Sequence, residues 1–173
     1  MKQRLISSWV LGLFLGMTFS YAAHAQLIEA NPDWKESAVP PPPAFDVDKL
    51  VPFDGAPGSS LVYGVDPASI QISKSDGVVR YVVVASSNSG TRNVMYDAIR
   101  CSTAQFKSYA RYFQEEGWRM VSAPEWCSLA DKATPSYALR FARAGACANA
   151  SAPGNVAALV DRLKKSNSPN SPN

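Results

Sequence analysis

The sequence predicts an α+β domain: a mostly antiparallel sheet of short strands, a C-terminal helix, and a proline-rich N-terminal arm. Three observations predict it. Two runs rich in β-branched and aromatic residues, Val78 to Ala85 and Thr91 to Arg100, flank the polar stretch Ser86 to Gly90, the pattern of a β-hairpin. Val156, Leu159, Val160 and Leu163 recur at helical spacing near the end of the chain. Eight of the 13 prolines fall between Pro32 and Pro67, where they remove backbone donors and leave the chain extended.

The first element is a leader. Lys2 and Arg4 precede the apolar run Leu5 to Phe19, and Ala23-His24-Ala25 forms a small-x-small site before Gln26. That layout is a secretory signal peptide over residues 1–25. The apolar run is shorter than the ~20 residues of a membrane span. No cysteine near the cleavage site offers a point of lipid attachment, so no stable membrane span is expected after cleavage. The localisation expected is exported and periplasmic, either free or held against the outer membrane.

Cleavage removes chemistry as well as charge. The only histidine, His24, leaves with the leader, and loss of Lys2 and Arg4 leaves 15 basic residues against 14 acidic ones. Without imidazole, Ser-His and Cys-His nucleophiles and histidine metal ligands are excluded. A near-neutral chain with no basic cluster argues against nucleic acid or an anionic membrane as the main partner. There is no Gly-rich phosphate loop, Ser-x-x-Lys or carboxylate-rich calcium loop, so neither a cofactor nor a metal is expected.

Residues 26–60 read as the extended arm, with Pro40 to Pro43 as its stiffest part. Two roles suit it: a polyproline spacer along the domain surface, or a ligand for an aromatic groove on another protein. Trp34, beside Asp33 and Glu36, is the expected anchor to the domain. Residues 61–165 read as the globular domain. Leu61 to Val65 and Ser69 to Ser73 are short strands, the second alternating at period two before the turn Lys74 to Gly77.

For the central hairpin, a loop of Ser87-Asn88-Ser89-Gly90 sets Ser86 opposite Thr91, Arg80 opposite Asp97, Tyr81 opposite Tyr96, Val82 opposite Met95 and Val78 opposite Ile99. Charge then meets opposite charge and apolar meets apolar, each pair contributing roughly 0.2–1 kcal/mol.

After Cys101 the pattern is ambiguous. Phe106, Tyr109, Ala110 and Phe113 fit a helix, opened by Ser102-x-x-Gln105; Lys107, Tyr109 and Arg111 fit one face of a strand returning through Glu115-Glu116-Gly117 to Trp118–Val121. Asp131, Thr134 and Pro135 read as a loop. Asn155 to Lys165 reads as a helix lying on the sheet, opened by Pro153-Gly154-Asn155 and closed by Lys164-Lys165. Residues 166–173, SNSPNSPN, have no apolar side chain and are expected to be disordered.

Three cysteines, Cys101, Cys127 and Cys147, remain in an oxidising compartment, which allows one bridge, one leftover and three choices of pair. Cys101 to Cys147 is favoured because it ties the end of the central strand to the segment before the last helix; loop closure sets roughly 4 kcal/mol as an upper figure. Cys127 is then a buried free thiol or an intermolecular one. A redox thiol at Cys101 beside Arg100 is the functional rival, but there is no Cys-x-x-Cys. Asp97, Glu115, Glu116, Glu125 and Asp131 are the carboxylates from which a glycosidase pair would have to come, and nothing fixes the required separation.

The run DGVVRYVVV, the polar turn with Gly90, and NVMYDAIRC, together with Trp34, Trp118 and Trp126, resemble the cryptic neisserial protein-like family of small exported Gram-negative envelope proteins. The resemblance spans Asp33 to Leu163. It implies a single envelope domain of unassigned activity with no catalytic residues to carry over. It also implies a cysteine near the start of the final helix, which fits Cys147 pairing with Cys101, and a strand rather than a helix over Phe106 to Phe113. Cys127 looks like an addition.

The function expected is therefore a non-catalytic binding or structural module acting on an envelope protein or a cell-wall component. Its candidate surface residues are Tyr63, Tyr109, Tyr112 and Trp118, against the reading that these aromatics are core, which is favoured for Trp118. The competing expectation is an envelope enzyme, a carboxylate hydrolase or thiol redox protein, which requires a cleft with perturbed acids or a reactive cysteine.

Overall fold

The computed structural model describes residues 31–56 and 58–167; the expected leader and residues 168–173 lie outside the described residues. Among these, the strands are β1 (Val51–Phe53), β2 (Val62–Val65), β3 (Gln71–Ile72), β4 (Val78–Ser86), β5 (Arg92–Arg100), β6 (Gln105–Phe113), β7 (Gly117–Met120) and β8 (Cys127–Ser128). The helices are α1 (Ser136–Phe141), which runs into a π turn at Ala142–Ala146, and α2 (Val156–Ser166). All strand pairs are antiparallel in one sheet ordered β1-β2-β4-β5-β6-β7, with β3 also beside β4 and β8 beside β6. The fold is thus α+β, with eight strands rather than about six.

The central hairpin forms, but one residue out of the register read from sequence. Arg80 pairs with Ala98, Tyr81 with Asp97, Val83 with Met95 and Ser86 with Arg92. The loop is the reason. Ser87 N–H donates to Thr91 O at 2.9 Å and Gly90 N–H to Ser87 O at 3.0 Å, which leaves a three-residue loop, Asn88-Ser89-Gly90. Gly90 has φ +86°, the left-handed conformation that closes such a loop at little cost to glycine. Because neighbouring positions on a strand point to opposite faces, Arg80 and Asp97 project to opposite sides of the sheet.

Both sides are covered. Every residue from Val78 to Ala85 is buried, which explains a run with no polar alternation beyond Arg80. On one side Val79, Tyr81, Val83, Met95 and Ile99 pack under Phe141, Leu159 and Leu163 of the helices. On the other, Val78, Val82, Val84, Tyr96 and Tyr109 form a second cluster, roofed by Trp34, Phe45, Leu50, Tyr112, Trp118 and Trp126. Three of those six come from the proline-rich N-terminal segment. That segment also supplies β1, which pairs with β2.

The 105–113 segment is a strand, as the family resemblance implies, and it carries a bulge. Asp97 pairs with Ser108 but Tyr96 with Ala110, so Tyr109 is an extra residue on β6. The bulge keeps Tyr109 on the same face as Lys107 and moves Arg111, which pairs with Met95, to the other. Bulges re-aim side chains in this way; here the strict alternation expected for Lys107, Tyr109 and Arg111 is broken.

Helix α2 follows from its sequence. Asn155 caps it, accepting from Ala158 N at 2.8 Å, and Leu159 and Leu163 are its buried face. Helix α1 is not anticipated: the sequence suggests a loop through Pro135 and no helix between there and residue 155. It has only six residues and no side-chain cap, so packing of Tyr137, Ala138 and Phe141 holds it rather than any local signal. The π turn meets α2 at Gly145, where a Cβ would lie 2.8 Å from Arg162 Cβ and 3.0 Å from Leu159 O.

Cys101 and Cys147 are joined by a disulfide, 46 residues apart in sequence. It ties the turn after β5 to the residue following the π turn. Replacing both with serine is expected to lower unfolding free energy by about 2–4 kcal/mol, measured by urea denaturation. A loss under about 1 kcal/mol would show that the two segments are held without the bond.

Candidate functional site

An arginine inside a β-branched run must find counter-charge or the strand cannot be buried. Arg80 is 2% exposed. Its guanidinium lies 2.9 Å from Asp76 Oδ2 and 3.4 Å from Glu36 Oε1. Glu36, carried by the N-terminal segment, also accepts from Lys107 Nζ at 2.8 Å, from Trp126 Nε1 at 3.2 Å and from the Tyr109 hydroxyl. The bulge on β6 is what turns Tyr109 towards it. Four donors from three parts of the chain thus converge on one carboxylate.

Around this socket the segment is clipped down again. Asp76 accepts from Ser37 N at 3.0 Å and from the Ser37 hydroxyl, and its carbonyl accepts from Trp34 Nε1 at 2.9 Å. The Trp34 ring stacks 3.6 Å beneath the Arg100 guanidinium and meets Trp126 edge-on at 5.9 Å. Trp34 therefore anchors the segment, as its sequence position suggests. Further along, Asp46 N donates to Asp66 Oδ2 at 2.9 Å.

The electrostatics favour the charged forms. Burial pushes the Asp76 carboxyl up, but the Arg80 guanidinium and Ser37 outweigh it and hold it well below the usual carboxylate range. Burial raises Glu36 too, and Lys107, Tyr109 and Trp126 together bring it below its ordinary value. The Tyr109 hydroxyl is pushed far up by burial and by the facing Glu36, so it remains a donor. This arrangement holds the chain's own Glu36 carboxylate and so fastens the N-terminal segment to the sheet.

The opposite face holds a second polar group. Asp97 is fully buried and accepts from the Tyr137 hydroxyl at 2.7 Å. Its other oxygen, the Tyr81 hydroxyl and the Ser108 hydroxyl have no hydrogen-bond partner among the described residues, and these three residues lie in one row across β4, β5 and β6. Burial pushes Asp97 up to about 7, against the opposing pull of Tyr137.

The surface residues expected from sequence divide. Tyr63 is buried and stacks on Tyr137 at 5.3 Å, and Tyr109 is buried in the socket. A surface role for these two gives way, because the helices cover one face of the sheet and the N-terminal segment the other. Tyr112 and Trp118 are half-buried. They meet each other at 5.4 Å and Phe45 at 5.1 and 5.8 Å, all edge-on. Beside them an open groove of about 480 Å³ is lined by Phe45, Val47, Tyr112, Gln114, Arg92 and the hairpin turn.

Cys127 is free and exposed rather than buried. Glu115, Glu116, Glu125 and Asp131 are exposed in turns and loops while Asp97 is sealed in the core. Among the described residues, no group of three His, Cys, Asp or Glu is placed to hold a metal ion, and no helix is long and apolar enough to cross a membrane.

The CNP1-like family model matches residues 29–164. No curated protein and no solved structure matches the chain.

Proposed function

We propose that this chain, which belongs to the CNP1-like family, is a non-catalytic binding or structural module of the periplasm that engages an envelope protein or cell-wall component. The supporting observation is the aromatic groove at the hairpin end. Tyr112 and Trp118, two of the residues expected from sequence to bind, converge there with Phe45 beside an open groove of about 480 Å³. Half-exposed aromatics next to Arg92 and Gln114 have the composition of a recognition surface, apolar area with a few orienting polar groups.

Site-specific photocrosslinking in intact cells tests this. A photoreactive side chain in place of Tyr112 is expected to capture a reproducible envelope protein or to retain the chain on isolated cell wall. The same group in place of Asp161, exposed on α2, is expected to capture neither. A blank from the Tyr112 position, with the protein abundant and folded, would overturn the groove as the binding surface.

A further inference from the structure

An open cavity of about 560 Å³ lies over the disulfide, within the size range of small-molecule sites. Its apolar lining includes Cys101, Ala104, Leu129, Leu139 and Ala142. Arg143 and Arg162 also line it, both exposed, and no acidic side chain does. Among the described residues neither arginine has a carboxylate within 4.0 Å, in contrast to Arg80, Arg119 and Arg140.

The backbone explains how two cations come together there. Arg143 sits in the π turn, and the close approach at Gly145 brings α2, and with it Arg162, against that turn. Two like charges beside one apolar cavity repel unless an anion offsets them. The two non-glycine residues with positive φ among the described residues, Ala104 at 49° and Asn149 at 58°, both line the same cavity. Such conformations, and π turns, collect at ligand sites because they are otherwise unfavourable.

We infer that this cavity binds an amphipathic monoanion, with its apolar body on Ala104, Leu129, Leu139 and Ala142 and a carboxylate or sulfonate held by Arg143 and Arg162. The site is separate from the aromatic groove and does not depend on it.

Anilinonaphthalene sulfonate, followed by its fluorescence on the disulfide-bonded chain, tests the inference. It is expected to fill a single saturable site and to bind at least about tenfold more tightly than uncharged phenylnaphthylamine, which has the same rings without the sulfonate. Arg143→Gln/Arg162→Gln is expected to abolish that preference, and Arg119→Gln, which removes an arginine that does not line the cavity, to keep it. Near-UV circular dichroism checks that the double variant keeps its tertiary packing. Amide shifts induced in the unsubstituted chain should centre on Ala104, Gly145 and Asn149, a readout that needs no variant. Equal affinity for the two probes, or shifts centred elsewhere, would overturn the proposal.

Discussion

Arg80→Met is expected to lower the unfolding free energy by about 3–5 kcal/mol, the range for removing one partner of a buried ion group. Methionine preserves most of the side-chain volume in the strand, so the loss reports charge rather than a cavity. Asp76, buried and held ionised by Arg80 and Ser37, would lose its main counter-charge, and Glu36 would keep only Lys107 as a cation. Adding Asp76→Asn to the variant is expected to restore part of the loss, because the remaining amide can be buried without charge. Denaturant titration of the set, with limited tryptic cleavage after Lys35 to report release of the N-terminal segment, measures both effects. A cost for Arg80→Met below about 1 kcal/mol would mean that the ion group contributes no more than an exposed pair.

Asp97→Asn is expected to become more stable relative to wild type as pH rises. Because the folded carboxyl is raised to about 7 from an ordinary 3.8, the folded state keeps a proton that the unfolded chain has released. The contribution of Asp97 to wild-type stability therefore falls as pH rises from about 4 to about 7, by up to about 4 kcal/mol for a three-unit difference. Above that window the deficit stays constant. The depressed Asp76 and Glu36 carboxyls have the reverse dependence, contributing stability at neutral pH that is lost in acid. For that reason the test is the difference between Asp97→Asn and wild type at each pH. The difference should favour the variant increasingly between pH 4 and 7, and a flat difference would show that Asp97 is ionised in the folded state throughout.

Much of the sheet was legible because β-branched residues announce themselves. Val78 to Ala85 and the alternation at Gln71 and Ile72 became strands, and Leu159 with Leu163 became the buried stripe of a helix. The hairpin register was not legible, since it was read from a four-residue loop and from charge pairing across the strands. With both faces covered, Arg80 and Asp97 each find partners outside the hairpin, and the loop geometry at Gly90 decides the register. Segment 105–113 read partly as helix because the bulged Tyr109 breaks period two. Helix α1 had no cap to mark it.

The Glu36 socket was visible only in outline. A charged residue within a strand of valines and a tryptophan beside Glu36 were both signals. Their meeting depends on contacts spanning 44 to 90 residues, which no local pattern encodes. The exposed aromatics were half recoverable: Tyr112 and Trp118 remain accessible because they lie at the open end of the sheet, whereas Tyr63 and Tyr109 lie under its covering layers.

The socket for Glu36 also imposes an order on assembly. A chain delivered N-terminus first presents Glu36 long before Lys107, Tyr109 and Trp126 exist as a surface to receive it. The segment that leads the described chain must wait for strands emerging 71 to 90 residues later, and contacts of such separation form slowly. Until then the face beneath it, with Val78, Val82 and Tyr96, lacks that cover. Glu36 is thus among the first residues of the described chain to appear, and its full set of partners exists only once Trp126 has followed.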